Sequence, residues 1–306
     1  MEIIVYHKNC MDGLASAFIA KDALLKKAIA HEEDILTVPL QYGDEDKFFE
    51  DLAALIEQRE KKLNVYFVDF SFKRDNMTKL LNISSIEKVT VIDHHKTAFS
   101  ELCDLNYDFK NFEFIYDESK SGAGLCYDYF ESNLNKKMFA YIEDRDLWNW
   151  KLLNSKEINA YLQTFIEPND IDSFNTEYEN FDYNYSLDIG KALIKKQEQQ
   201  VKSKTKKVNT IKIQHVEFNY VNATENISEI GNEICNKYQT PALVFFVNDK
   251  KEYVCSLRSL DNLADVSEVA KSFGGGGHRN AAGFTLSKEE FYTLFYSGYK
   301  NIPRKT

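Results

Sequence analysis

Val89-Thr90-Val91-Ile92-Asp93-His94-His95-Lys96 is the stretch whose reading decides the fold. Apolar residues at 89, 91 and 92 run up to one carboxylate and two adjacent imidazoles. The pattern is that of a buried strand that stops abruptly and carries polar residues at its tip. An N-capping aspartate followed by two loop histidines is the plain alternative. Carboxylate oxygen and neutral imidazole nitrogen together suit Mn²⁺, Fe²⁺ or Zn²⁺. The neighbouring segments weigh between these readings.

Working outward, Val65-Tyr66-Phe67-Val68 is a continuous apolar run, the mark of a parallel strand covered on both faces, and it ends at Asp69-Phe70-Ser71. Ile3 to Tyr6 reads as a short buried strand running into His7-Lys8-Asn9-Cys10-Met11-Asp12-Gly13, with a helix rich in small residues after it. Ile35 to Leu40 is a further strand, placed at an edge by Pro39. Phe112 to Tyr116 reads as a strand, and Phe48 to Ile56 and Met77 to Leu81 have helical spacing. Ser121-Gly122-Ala123-Gly124 opens another helix, and Met138 to Ile142 leads into Glu143-Asp144-Arg145-Asp146-Leu147-Trp148. Strands alternating with helices predict a parallel α/β sheet. Sites in such sheets form beyond the carboxyl ends of the strands. Asp12, Asp69 and Asp93-His94-His95 therefore fall on one rim.

The 306 residues suffice for two domains, and 43% hydrophobic content allows a substantial core. A net charge of −10 argues against a broad surface for duplex DNA. The five cysteines include no CxxC pair, which fits a reduced, cytoplasmic setting. No apolar run approaches the roughly 18 residues of a membrane span. Residues 152–185 read as irregular helices. Residues 188–207 carry seven Lys against two acids and read as an exposed linker helix.

Beyond it, strands at Ile211–Val221, Ala242–Val247 and Glu252–Arg258 alternate with helices at Ile227–Tyr238 and Val266–Phe273. Then comes Gly274-Gly275-Gly276-Gly277-His278-Arg279-Asn280-Ala281-Ala282-Gly283-Phe284. Backbone without Cβ lets N–H groups crowd an anion, and His278 and Arg279 add donors. A tight structural turn is the alternative.

These motifs, in this order, resemble those of the DHH phosphoesterases, over nearly the whole chain. Asp93-His94-His95 resembles the family signature, His7…Asp12-Gly13…Ser16-Ala17 the first motif and Val68-Asp69 the second. Asp144 resembles the fourth-motif aspartate, and Gly274 to Phe284 the glycine-rich motif of the DHH-associated C-terminal domain. The resemblance implies an α/β fold: a parallel-sheet catalytic domain at 1–187, a linker helix at 188–207 and a smaller α/β substrate-binding domain at 208–306. It implies a hydrolase using two Mn²⁺ ions, other divalent metals being allowed, held by His7, Asp12, Asp69, Asp93, His94 and Asp144. Asp69 would bridge the ions, and Asp69, His94 and His95 would be catalytic, with His95 open between ligand and a group near the leaving oxygen. Arg258, Gly275, Gly276, Gly277, His278 and Arg279 would bind the rest of the substrate across an interdomain cleft. The implied substrates are short single strands (nanoRNA) or pAp-like nucleotides. Exopolyphosphatase or cyclic-dinucleotide phosphodiesterase activity is the alternative, and a nucleotide-binding protein without turnover a remote one. Duplex DNA and membranes are not implied as partners, and a homodimer is compatible.

Cys10 departs from the family pattern, which often has a second aspartate there; a thiolate suits Zn²⁺ or Fe²⁺ better than Mn²⁺. Asp146 rivals Asp144, with Asp144 preferred because it follows the apolar run. Trp148 and Trp150 read as packing residues rather than base-stacking platforms, and His31 and His215 as ordinary surface or strand residues.

Overall fold

The computed structural model describes residues 1–296 apart from positions 28 and 60; residues 297–306, the end of the expected C-terminal domain, lie outside the described residues. Contacts divide the chain into two compact units, Met1–Ile194 and Lys195–Thr306.

The first unit alternates as the apolar runs require: β1 (Glu2–His7), α1 (Met11–Lys26), β2 (Ile35–Leu40), α2 (Glu45–Gln58), β3 (Leu63–Val68), α3 (Arg74–Leu81), β4 (Ile86–Asp93), α4 (Lys96–Leu102), α5 (Leu105–Asp108) and β5 (Phe112–Tyr116). Helices α6 (Gly122–Tyr129), α7 (Lys136–Asp146), α8 (Ser155–Phe165) and α9 (Ile171–Asn180) follow, then α10 (Tyr183–Lys204), within which the two units divide. The five strands pair in parallel in the order β2-β1-β3-β4-β5. Pro39 lies on edge strand β2, where a missing N–H is tolerated. Alternate side chains feed two cores. Ile4, Tyr6, Val68 and Ile92 pack on one side with α1, α6 and α7, while Ile3, Val5, Phe67 and Val91 pack on the other with α2 and α3. Burial on both faces is what makes the strands read as unbroken apolar runs. Strand order reverses between β1 and β3, the switch point at which a crevice opens beyond the carboxyl ends.

The second unit is a mixed α/β layer: β6 (Asn209–Ile213), β7 (Val216–Asn222), α11 (Ile227–Tyr238), β8 (Ala242–Val247), β9 (Tyr253–Arg258), α12 (Val266–Ser272), β10 (Gly276–His278), β11 (Ala281–Leu286) and α13 (Lys288–Tyr296). Its sheet runs β10-β11-β9-β8-β7-β6, antiparallel except between β7 and β8. Among the described residues no helix is long and apolar enough to cross a membrane.

Candidate metal centre

Each strand at the switch point delivers its polar residues by a different local device. After β1, Asp12 enters α1 and is 1% exposed. Its carboxylate accepts from Gly122 N–H (2.6 Å to Oδ2) and Ala123 N–H (3.1 Å to Oδ1), the first amides of α6. A helix N-terminus favours negative charge there. After β3, the chain turns at Asp69 with φ +53°, a left-handed conformation that aspartate tolerates better than most residues. At the end of β4, Asp93 Oδ1 accepts from the His94 N–H (2.7 Å) and the His95 N–H (3.1 Å) and lies 2.7 Å from His95 Nδ1. One carboxylate oxygen thus fixes the turn and the ring of the second histidine.

These devices converge. His94 Nε2 is 3.2 Å from Asp69 Oδ1 and 3.5 Å from Asp146 Oδ2, and His7 Nδ1 is 3.7 Å from Asp69 Oδ2. Two triads, Asp12-Asp69-His94 and His7-Asp69-His95, each offer ligand atoms within 4.8 Å of one another, and they share Asp69. Both Asp69 oxygens, Asp93 Oδ2 and Asp146 Oδ2 are buried without a hydrogen-bond donor among the described residues. Desolvated carboxylate oxygens left this way are costly unless a cation completes them. The donor set therefore fits a divalent metal, and the arrangement is a divalent-metal site.

Burial alone would raise the Asp69 pKa, but His7, His94 and His95 outweigh it and hold it well below the usual carboxylate range. Burial would lower the His94 pKa, but Asp69, Asp146 and Asp12 push it up to about 10. Burial, with Asp146 and Asp69 nearby, drives the Asp12 pKa well up. The Asp146 pKa is raised by burial and Asp69, with His94 only partly offsetting.

Asp144, the expected ligand, is engaged by backbone amides. Its Oδ1 accepts from Lys151 N–H (2.9 Å) and its Oδ2 from Leu152 N–H (3.2 Å), so its carboxylate anchors the loop after α7. Asp146, two residues on, is the one brought to His94. Cys10 sits at the start of α1 without a side-chain cap. Burial and the charges of Asp69, Asp146 and Asp12 keep its thiol protonated by pushing its pKa well up, which weakens it as a thiolate ligand.

Gly122 was legible in the sequence only as a small residue for helix packing. A Cβ there would lie 2.5 Å from Asp69 Cβ and 2.9 Å from Asp12 Oδ2. Gly122→Ala is expected to destabilise the first unit by about 1–3 kcal/mol through overpacking. It should also weaken Mn²⁺ binding, because Asp12 and Asp69 are the groups displaced. Titration calorimetry and melting curves check both; wild-type metal affinity in this variant would disprove the close fit.

In the second unit the glycine run divides its labour. Gly274, at φ +79°, follows α12; its N–H donates to Lys271 O and the Gly275 N–H to Ala270 O, both at 2.9 Å. This is a Schellman stop, which needs a residue comfortable in the left-handed region. The N–H of Gly275, expected as an anion donor, thus closes the helix end. Gly276, Gly277 and His278 form β10 against β11. Arg279 Nη2 donates to Asp261 O (2.9 Å) and Leu263 O (3.0 Å), while its buried Nη1 has no partner among the described residues. Arg258 donates to Leu257 O and Ser228 Oγ, and its side chain lies against Gly231.

Residues 209–297 match the DHHA1 domain family. The chain is 30% identical over 310 residues to the uncharacterized protein R106 of Acanthamoeba polyphaga mimivirus, covering 94% of this chain and 68% of that protein. It is 24% identical over 319 residues to the oligoribonuclease NrnB of Bacillus subtilis (strain 168), covering 95% and 74%. An exopolyphosphatase-related protein from Bacteroides fragilis has a similar structure, with a TM-score of 0.53 at 14% identity over 97% of this chain and 90% of that one; this likeness concerns the fold alone. The chain thus belongs to one family with protein R106, and its second unit carries a DHHA1 domain over residues 209–297.

Proposed function

We propose that the protein hydrolyses phosphate esters of short nucleotides, nanoRNA-like oligoribonucleotides or pAp-like molecules, with two Mn²⁺ ions. The observation that carries this reading is the pair of ligand triads sharing Asp69, with buried carboxylate oxygens that lack donors. Two divalent ions, when bound, supply Lewis acidity for a hydrolytic water and for the phosphoryl oxygens. Asp69 would hold both ions, since it belongs to both triads. His7, Asp12, Asp93, His94 and Asp146 complete the ligand set, with Asp146 taking the place expected of Asp144. His94 aligns Asp69 and Asp146 through its Nε2. His95 is the proton donor to the leaving oxygen. Its Nδ1 lies 2.7 Å from Asp93 Oδ1, which fixes the orientation of the ring.

The similarity to an enzyme named oligoribonuclease and the net charge of −10 both favour short single strands over long duplexes. In the second unit, Arg279 and His278 offer a phosphate a charged donor and an imidazole.

The test is phosphate or mononucleotide release from 5′-phosphorylated dinucleotides, pAp, polyphosphate and cyclic dinucleotides, with Mn²⁺ and with excess chelator. Dinucleotides and pAp should be turned over with the highest kcat/KM, and chelator should abolish turnover. Arg279→Ala should lower kcat/KM on the dinucleotide about tenfold or more while sparing a nitrophenyl phosphate. Preference for polyphosphate, or turnover in chelator, would overturn this reading.

A further inference from the structure

Tyr42 lies in the turn Gln41–Asp44, just past the carboxyl end of β2 and beside β1, where Leu40 pairs with His7. The turn is tied down: Asp44 N–H donates to Gln41 O (3.1 Å), Gly43 N–H to Glu45 Oε2 (2.7 Å) and Lys8 N–H to Leu40 O (2.8 Å). Gly43 has φ +97° with open space around it, so conformation alone requires glycine. A type II turn has this form and displays its second residue, here Tyr42.

The ring of Tyr42 packs on Phe70 (5.1 Å), the residue after Asp69, and Phe70 stacks on His7 (6.0 Å), whose Nδ1 is 3.7 Å from Asp69 Oδ2. Tyr42 is thus the outermost of a row of rings leading to the carboxylate centre, yet it is 46% exposed. Its hydroxyl has no partner among the described residues, whereas the hydroxyls of Tyr6, Tyr127 and Tyr141 each donate to a backbone carbonyl. A tyrosine used only for packing buries its ring and satisfies its hydroxyl. A phenol is a neutral hydrogen-bond donor at ordinary pH. An anionic phosphate approaching a cluster of carboxylates gains from such a donor, since each hydrogen bond to a charged oxygen offsets repulsion.

Resting on the function proposed above, we infer that Tyr42 contacts substrate, its hydroxyl donating a hydrogen bond to a non-bridging oxygen of the phosphate held at the Asp69 centre. The competing role is a lid on Phe70, which needs the ring and not the hydroxyl.

The experiment compares wild type, Tyr42→Phe and Tyr42→Ala on a 5′-phosphorylated dinucleotide with Mn²⁺, alongside melting curves with and without Mn²⁺. Tyr42→Phe should lose about 10- to 100-fold in kcat/KM. It should melt like wild type and be stabilised equally by Mn²⁺. If Tyr42→Phe keeps wild-type kinetics, the inference is overturned, and a loss confined to Tyr42→Ala would assign the ring alone. Altered Mn²⁺ stabilisation in Tyr42→Phe would likewise overturn it, by moving the effect to the metal site. Absence of hydrolysis by wild type on every phosphate ester would instead remove the proposed function, and the inference with it.

Discussion

Asp69→Asn should lower phosphoesterase kcat/KM by about 10³-fold or more, whereas Cys10→Ala should stay within about tenfold of wild type. Asp69 belongs to both ligand triads, so its loss would affect both, while Cys10 belongs to neither and its thiol pKa is pushed well up by burial and nearby carboxylates. Asparagine suits this test because it accepts the left-handed backbone at φ +53° and preserves side-chain volume. The variant should therefore fold, and calorimetry should show Mn²⁺ affinity falling with activity. Equal losses in the two variants would remove the bridging role of Asp69.

Asp144 and Asp146 should show opposite phenotypes. Asp144→Ala removes the acceptor of the Lys151 and Leu152 amides, at about 1 kcal/mol for each of these part-buried hydrogen bonds. It should lower the melting temperature by several degrees and reduce activity mainly through that loss. Asp146→Ala removes a buried carboxylate whose Oδ2 has no donor and whose neighbours include Asp69. The metal-free protein should melt at or above the wild-type temperature, while kcat/KM falls about 10²-fold or more. Denaturation and kinetics on the same preparations decide the matter; a destabilised, active Asp146→Ala would reverse the two roles.

What could be read from the sequence follows from what period and composition encode. The apolar run at 65–68 and the largely apolar 89–92 read as strands buried on both faces, and a parallel sheet then places Asp12, Asp69 and Asp93 on one rim. The choice between Asp144 and Asp146 turns on helical phase. Two residues apart on α7, they point about 200° from each other, and ending an apolar run does not settle which side meets the sheet. Asp146 stands one turn beyond buried Ile142, which was the available signal. The glycine run misled for a different reason. Composition announces freedom of φ but not where the N–H groups go, and helix α12 claimed two of them.

The hydrogen bonds from Gly122 and Ala123 to Asp12 span 110 and 111 residues of chain. That separation gives the site a timetable. A chain growing from its N-terminus carries His7, Asp12, Asp69 and Asp93-His94-His95 well before α6 exists to lock the first aspartate, and Asp146 arrives later still. Contacts of such long range are slow to close, because the intervening loop must be ordered first. The strands therefore assemble with their carboxylates loosely placed. The placement of Asp12 is completed only when α6 docks, so a helix end far along the chain fixes the first aspartate of the centre.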